Sequence, residues 1–123
     1  LSQQIEFVGK SGARYRYTTL DEDRFLPPAG ANFVLAHKIG QARTIVLAGE
    51  TDNLAGRVWR DSLAEAKGRY GDVEVLTRLN VKSAVRREEL ADMIDGYEPP
   101  MNLGDKGASG SAPEGADEER PAP

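Results

Sequence analysis

The sequence predicts a small α/β fold: a mixed sheet, two helices packed on it, and an added N-terminal β-hairpin. Three observations carry this. Two apolar runs, NFVLAH at 32–37 and RTIVLA at 43–48, flank a turn at Gly40. Two stretches with apolar residues at helical spacing follow, at 54–66 and 84–95, with a strand-like run between them. Ahead of all these, two short strand patterns surround the turn Lys10-Ser11-Gly12.

Each element has a local reason. IEFVG at 5–9 and ARYRYTT at 13–19 form the hairpin. Alternation puts Tyr15 and Tyr17 on one face of the second strand and Arg14 and Arg16 on the other. The stretch 20–31 reads as a loop, because Pro27-Pro28 supplies no N–H to a ladder. RTIVLA is continuous and rich in β-branched residues, which suits a central strand, and Gly49 ends it. Asp52 or Asn53 then caps a helix starting near Leu54. Leu54, Val58, Trp59, Leu63 and Ala66 form its apolar stripe, and Gly68 marks its end. VEVLTRL at 73–79 alternates as a strand, with Val73, Val75 and Thr77 facing one way and Glu74, Leu76 and Arg78 the other. Ser83 caps a second helix to about Asp95, where Gly96 stops it, and EPPMN is a turn.

Composition divides the chain of 123 residues. Residues 104–123, GDKGASGSAPEGADEERPAP, hold five acidic and two basic residues and no large apolar side chain. They cannot bury enough surface to offset ordering entropy, so a disordered acidic tail is expected, with a possible role in contacting a protein partner. Residues 1–29 form the hairpin extension and 30–103 the main domain. Residues 1–103 carry 14 basic and 15 acidic residues, so most of the net charge of -4 belongs to the tail. That balance excludes a basic protein that coats nucleic acid along its whole length. No run approaches the ~18 apolar residues that span a bilayer. The start, LSQQIEFVG, has no signal-peptide pattern. The expectation is a cytoplasmic protein with no membrane contact.

The sequence also excludes several chemistries. There is no cysteine, which removes disulfides, thiolate-bound zinc, iron–sulfur clusters and thiol catalysis. His37 is the only histidine, so a three-histidine zinc site is impossible. It is a lone acid–base candidate or a packing residue at a strand end. No nucleophile elbow stands in the folded part and no P-loop follows the strand. The loop Gly49–Asn53 joins a strand to a helix start and either receives an anion or is an ordinary capped turn. Arg57 and Arg60, three residues apart, share a helix face suited to phosphate, or else serve solvation and pairing with Asp61. Arg43, Arg57, Arg60, Lys67 and Arg69 form a candidate basic patch. Tyr15, Tyr17, Arg14 and Arg16 form a weaker aromatic and basic one. Glu88 and Glu89 either form a solvated charge cluster with Arg86 and Arg87, or present one carboxylate to the sheet, where it needs a metal or an arginine.

Taken together, four segments resemble the GIY-YIG nuclease superfamily. Gly30-Ala31-Asn32-Phe33 stands for its first motif and Leu47-Ala48-Gly49 for its second. Asn53-Leu54-Ala55-Gly56-Arg57 is similar to its Asn-Leu-x-x-Arg helix motif, and Pro99-Pro100-Met101-Asn102 to its final turn. The resemblance implies a metal-dependent endonuclease acting on DNA. Arg57 would bind the scissile phosphate, Glu89 would hold Mg²⁺ or Mn²⁺, and Gly49, Asn53 and Asn102 would be structural. Both motif tyrosines are replaced, by Phe33 (or Asn32) and Leu47, and neither Phe nor Leu can polarise water. Tyr15, Tyr17 or His37 is then the substitute for the missing group. The alternative is a catalytically inactive relative that binds nucleic acid or protein.

Overall fold

The structure is a computed structural model that describes residues 2–21 and 25–104. Of the tail expected over 104–123, Gly104 ends the last helix and 105–123 lie outside the described residues. Five strands form one sheet: β1 (Gln4–Val8), β2 (Arg14–Thr19), β3 (Ala31–Ile39), β4 (Ala42–Thr51) and β5 (Val73–Leu79). Three helices accompany them: α1 (Arg60–Tyr70), α2 (Ser83–Tyr97) and the short α3 (Pro100–Gly104). Among the described residues no helix is long and apolar enough to cross a membrane.

The sheet order is β1-β2-β5-β3-β4, and every neighbouring pair is antiparallel. The fold is thus an α/β sandwich in the general sense, but the sheet is not mixed. The strand–helix–strand run β4–α1–β5 does join two strands of the same direction. Strand β3 lies between them and pairs with both, so no parallel ladder forms.

Alternation along the strands builds two cores. Phe33, Leu35, Val73 and Val75 meet Trp59, Ala66 and Met101 on the α1 side. Tyr15, Tyr17, Val34, Ala36 and Leu76 meet Met93 of α2 on the other side. The two long helices therefore lie on opposite faces of the sheet. The N-terminal hairpin belongs to the same sheet, because β2 pairs with β5, and its tip packs under α2. Backbone of Lys10 approaches Gly96 so closely that a Cβ there would come within 2.9 Å of its nitrogen.

The helix expected from Leu54 begins later. Residues Leu54–Gly56 form a single 3-10 turn, capped by Asn53 Oδ1, which accepts from the Ala55 N–H at 3.1 Å. Arg57 then adopts a left-handed backbone, φ 49° and ψ 53°, which breaks the helix before Arg60. The apolar stripe is broken with it: Leu54, Trp59 and Ala66 are buried, but Val58 is exposed. Helix α2 runs through Gly96 to Tyr97 and ends on Glu98, also left-handed at φ 46°. Gly96 therefore serves the close hairpin contact and does not stop the helix.

Candidate functional site

Strand alternation leaves part of the α1 side of the sheet without a helix. Helix α1 covers β3 and the first half of β5. Across β1, β2 and the end of β5, the outward side chains include Glu6, Arg14, Arg16, Thr18 and Thr77, because Tyr15, Tyr17 and Leu76 point to the α2 core. A cavity of about 540 Å³ lies over them. Its far wall is the loop after β2, with Phe25, Leu26 and Pro27. A second cavity of about 510 Å³ adjoins it, with Leu20 lining both, and is bounded by Arg57, Trp59 and Arg60.

Arginines line both cavities: Arg14, Arg16 and Arg78 the first, with Glu6 among them, and Arg57 and Arg60 the second, with Glu74 beside them. Arg14 and Arg16 come from β2, Arg57 from the left-handed position after the 3-10 turn, and Arg60 from the first turn of α1. Glu6 lies 3.5 Å from Arg14, and both ends of that pair are largely in solvent, so it contributes little. Phe25, on the rim, is 82 % exposed.

The predicted metal ligand is elsewhere. Glu89 projects from α2 on the opposite face. Its Oε1 accepts from Arg78 Nε at 2.9 Å and from Asn80 Nδ2 at 3.0 Å, and its Oε2 from Arg78 Nη2 at 3.4 Å. This carboxylate is the one expected to need a metal or an arginine, and its partner is an arginine. The bond to Glu89 raises the Arg78 pKa above its ordinary value. Among the described residues no group of three or more histidine or carboxylate side chains is placed to hold a cation. The donor set around Glu89 is cationic and amide, and does not fit Mg²⁺ or Mn²⁺.

Glu89 belongs to a buried polar network. Asn80 Nδ2 also donates to Asn32 Oδ1 at 2.9 Å, and Asn32 Nδ2 donates to the Arg86 carbonyl at 3.0 Å. Arg86, only 5 % exposed, donates to Glu50 Oε1 at 2.7 Å and to the carbonyls of Asn80 and Val81. A Cβ on Gly30 would stand 2.1 Å from Arg86 Nη1, so this glycine gives the guanidinium its space. These bonds are all internal to the fold, which gives the network a structural character.

The other candidates separate. Arg43 pairs with Glu74 and donates to Gln3 Oε1 at 3.1 Å; it lines neither cavity itself, although Glu74 lines the one that Arg57 bounds. Lys67 is exposed on α1 and lines neither cavity. His37 donates through Nδ1 to the Asp72 carbonyl at 3.2 Å and lies against Tyr70, with ring centres 5.6 Å apart. It meets neither Arg57 nor Glu89. At the end of the loop Gly49–Asn53 two N–H groups are already taken: Asn53 N–H donates to Thr51 Oγ1, and Leu54 N–H to the Ala29 carbonyl. At Gly49 a Cβ would come within 2.4 Å of Phe33 Cζ. Asn102 pairs with the Ala48 peptide.

Tyr15 and Tyr17 face the α2 core and not the groove. Burial, then a 2.6 Å bond to Asp92, pushes the Tyr15 hydroxyl up to about 12. Burial also raises Tyr17. The bond from Tyr15, followed by those from Ser11, holds the Asp92 carboxyl below the usual range. Neither tyrosine is poised to activate water.

Sequence reasoning missed Phe25, which precedes Leu26 and Pro27 in the loop after β2, and the Arg78, Arg86 and Asn80 partners. One signal was available. Asn32 stands inside an apolar run, where a buried amide requires bonded neighbours. No family model, no curated protein and no solved structure matches this chain.

Proposed function

We propose that this chain is a GIY-YIG-like nucleic-acid-binding module without nuclease activity. The observation that carries the reading is the groove itself: Arg14, Arg16, Arg57 and Arg60 converge on one face around adjoining cavities. Guanidinium groups bind phosphate bidentately, and a row of them suits a polyanion better than a single anion. The near-neutral domain needs such local clustering, since it has little overall attraction for nucleic acid.

The absence of catalysis rests on placement. Phosphodiester hydrolysis needs phosphate ligand, metal ligand and water-activating group within a few ångströms of one phosphorus. Arg57 and Glu89 lie on opposite faces, and Glu89 is occupied by Arg78 and Asn80. Phe33, at the position of the first motif, is buried 5.5 Å from Trp59, ring centre to ring centre, and carries no hydroxyl. The family part of this reading rests on motif likeness in the sequence alone: Asn53-Leu54-x-x-Arg57 lies on a 3-10 turn after β4 and not on a helix, and Asn102 lies in α3.

The test combines binding and cleavage. Fluorescence anisotropy with labelled oligonucleotides is expected to show binding that weakens steeply with salt. The double variant Arg16→Ala, Arg60→Ala is expected to lose at least tenfold in affinity. With Mg²⁺ or Mn²⁺ no strand scission is expected on duplex, nicked or branched DNA. Scission that Arg57→Ala abolishes would restore the metal-dependent endonuclease and overturn the inactive reading.

A further inference from the structure

Resting on the nucleic-acid reading above, we infer that the groove takes single-stranded nucleic acid, with one base stacked on Phe25 and its flanking phosphates on Arg14 and Arg16. The two sides of the larger cavity differ in chemistry. The strand side presents Arg14 and Arg16, with Arg78 and the Glu6 carboxylate beside them. The opposite side is apolar, built from Phe25, Leu26 and Leu54, and Leu79 at the end of β5 adds to it. Phe25 is 82 % exposed and Leu79 61 % exposed, so neither is committed to the core.

A nucleotide has the same two halves. Its base offers a flat apolar face and its phosphate a negative charge. In a duplex the base faces are already stacked on one another, so an exposed phenyl ring gains nothing from it. In a single strand the faces are free, and a ring beside arginines is the arrangement that stacks bases without reading their sequence. The cavity of about 540 Å³ falls in the range that accepts a ligand of nucleotide size. An acidic peptide with an aromatic residue shares the charge and the ring. It need not carry a charge at every repeat, which the arginines spread over the two adjoining cavities address.

The discriminating measurement is anisotropy at fixed salt with three labelled probes: a 12-nucleotide thymidine strand, a 12-nucleotide uridine strand and a 12-base-pair hairpin duplex. The single strands are expected to bind at least tenfold tighter than the duplex. Phe25→Ala is expected to weaken single-strand binding by about 5- to 150-fold, the span of one base–aromatic stack. Its salt dependence stays unchanged, because no charge is removed. Phe25→Trp is expected to keep the affinity, with its exposed indole quenched on binding. Arg16→Ala is expected to shallow the salt slope by about 0.7 for a single strand. Phe25 is largely in solvent, so these variants leave the core intact. Equal or tighter binding to duplex, or an unchanged affinity in Phe25→Ala, overturns this inference and leaves the nucleic-acid reading standing. Binding of an acidic aromatic peptide with no oligonucleotide binding overturns both.

Discussion

Arg57 and Glu89 stand on opposite faces of the five-stranded sheet. Arg57 bounds a cavity with Trp59 and Arg60 on the α1 side, while Glu89 is bonded to Arg78 and Asn80 under α2. A sheet lies between them, so no rotamer change brings them to one phosphate.

The first prediction concerns Glu89 as a structural partner. Both members of the Arg78–Glu89 pair are at least two-thirds buried, and Asn80 shares the same carboxylate. Glu89→Gln is expected to lower stability by about 1–3 kcal/mol, the usual loss when a charged hydrogen bond goes and its partner stays. Adding millimolar Mg²⁺ is expected to leave the wild-type melting temperature unchanged. A rise with Mg²⁺ that Glu89→Gln removes would show a cation site there, because a ligand that binds only the folded state raises the melting temperature.

Asn102 gives a second, independent prediction. Its Oδ1 accepts from the Ala48 N–H at 2.8 Å and its Nδ2 donates to the Ala48 carbonyl at 2.9 Å. Strand β4 is an edge of the sheet, and this amide completes the ladder where no sixth strand does. Ala48 is 4 % exposed, so water does not readily replace the amide. Asn102→Ala is expected to cost about 2–4 kcal/mol, as two backbone groups lose their partner. Asn102→Asp keeps the acceptor and loses the donor, and is expected to fall between. Urea midpoints for the three proteins check the order.

These two residues also show how legible the chain was. Asn102 was singled out only through the motif resemblance, and the turn expected at 98–102 is in part helix: α3 begins at Pro100 and carries Asn102. The strands were readable, since alternation is a property of each run alone. The break at Arg57 was not. Continuous helical spacing from Leu54 to Ala66 is satisfied equally by one helix or by a 3-10 turn followed by a helix. The choice fell to the Asn53 cap and the left-handed Arg57, which puts Leu54 and Trp59 in the core together. The opposite placement of Arg57 and Glu89 was hidden as well. Which face each helix covers depends on the direction of the crossover, and no residue pattern in either helix encodes it.

The third prediction is a pH dependence. The Asp92 carboxyl is held below its ordinary value by Tyr15 and Ser11. A lowered carboxyl contributes stability above its unfolded pKa of about 4 and loses it as pH falls through the folded value. The Tyr15 hydroxyl is raised from 10.0 to about 12. A raised group contributes fully below its unfolded value and loses that contribution as pH rises through the folded one. Stability is therefore expected to decline on both the acid limb and the alkaline limb between pH 10 and 12. Tyr15→Phe is expected to make the alkaline limb shallower, and Asp92→Asn the acid limb. Chemical denaturation at each pH measures both. An alkaline limb unchanged in Tyr15→Phe would place the titration on another group, such as Tyr17.

The last prediction concerns the acidic segment. Residues 105–123 carry most of the net charge of -4, while the two cavities are lined by Arg14, Arg16, Arg78, Arg57 and Arg60. Acidic residues tethered to the same domain lower the local potential felt by an incoming polyanion and compete for the same guanidinium groups. Removal of residues 105–123 is expected to tighten nucleic-acid binding several-fold at 50 mM salt. The gain is expected to shrink toward none at 0.5 M salt, where the screening length is about 4 Å. Replacing the five acidic residues of the segment by their amides, at unchanged length, is expected to reproduce the gain, because charge and not bulk is responsible. Equal affinity of the full chain and the shortened one at low salt would separate the tail from the groove.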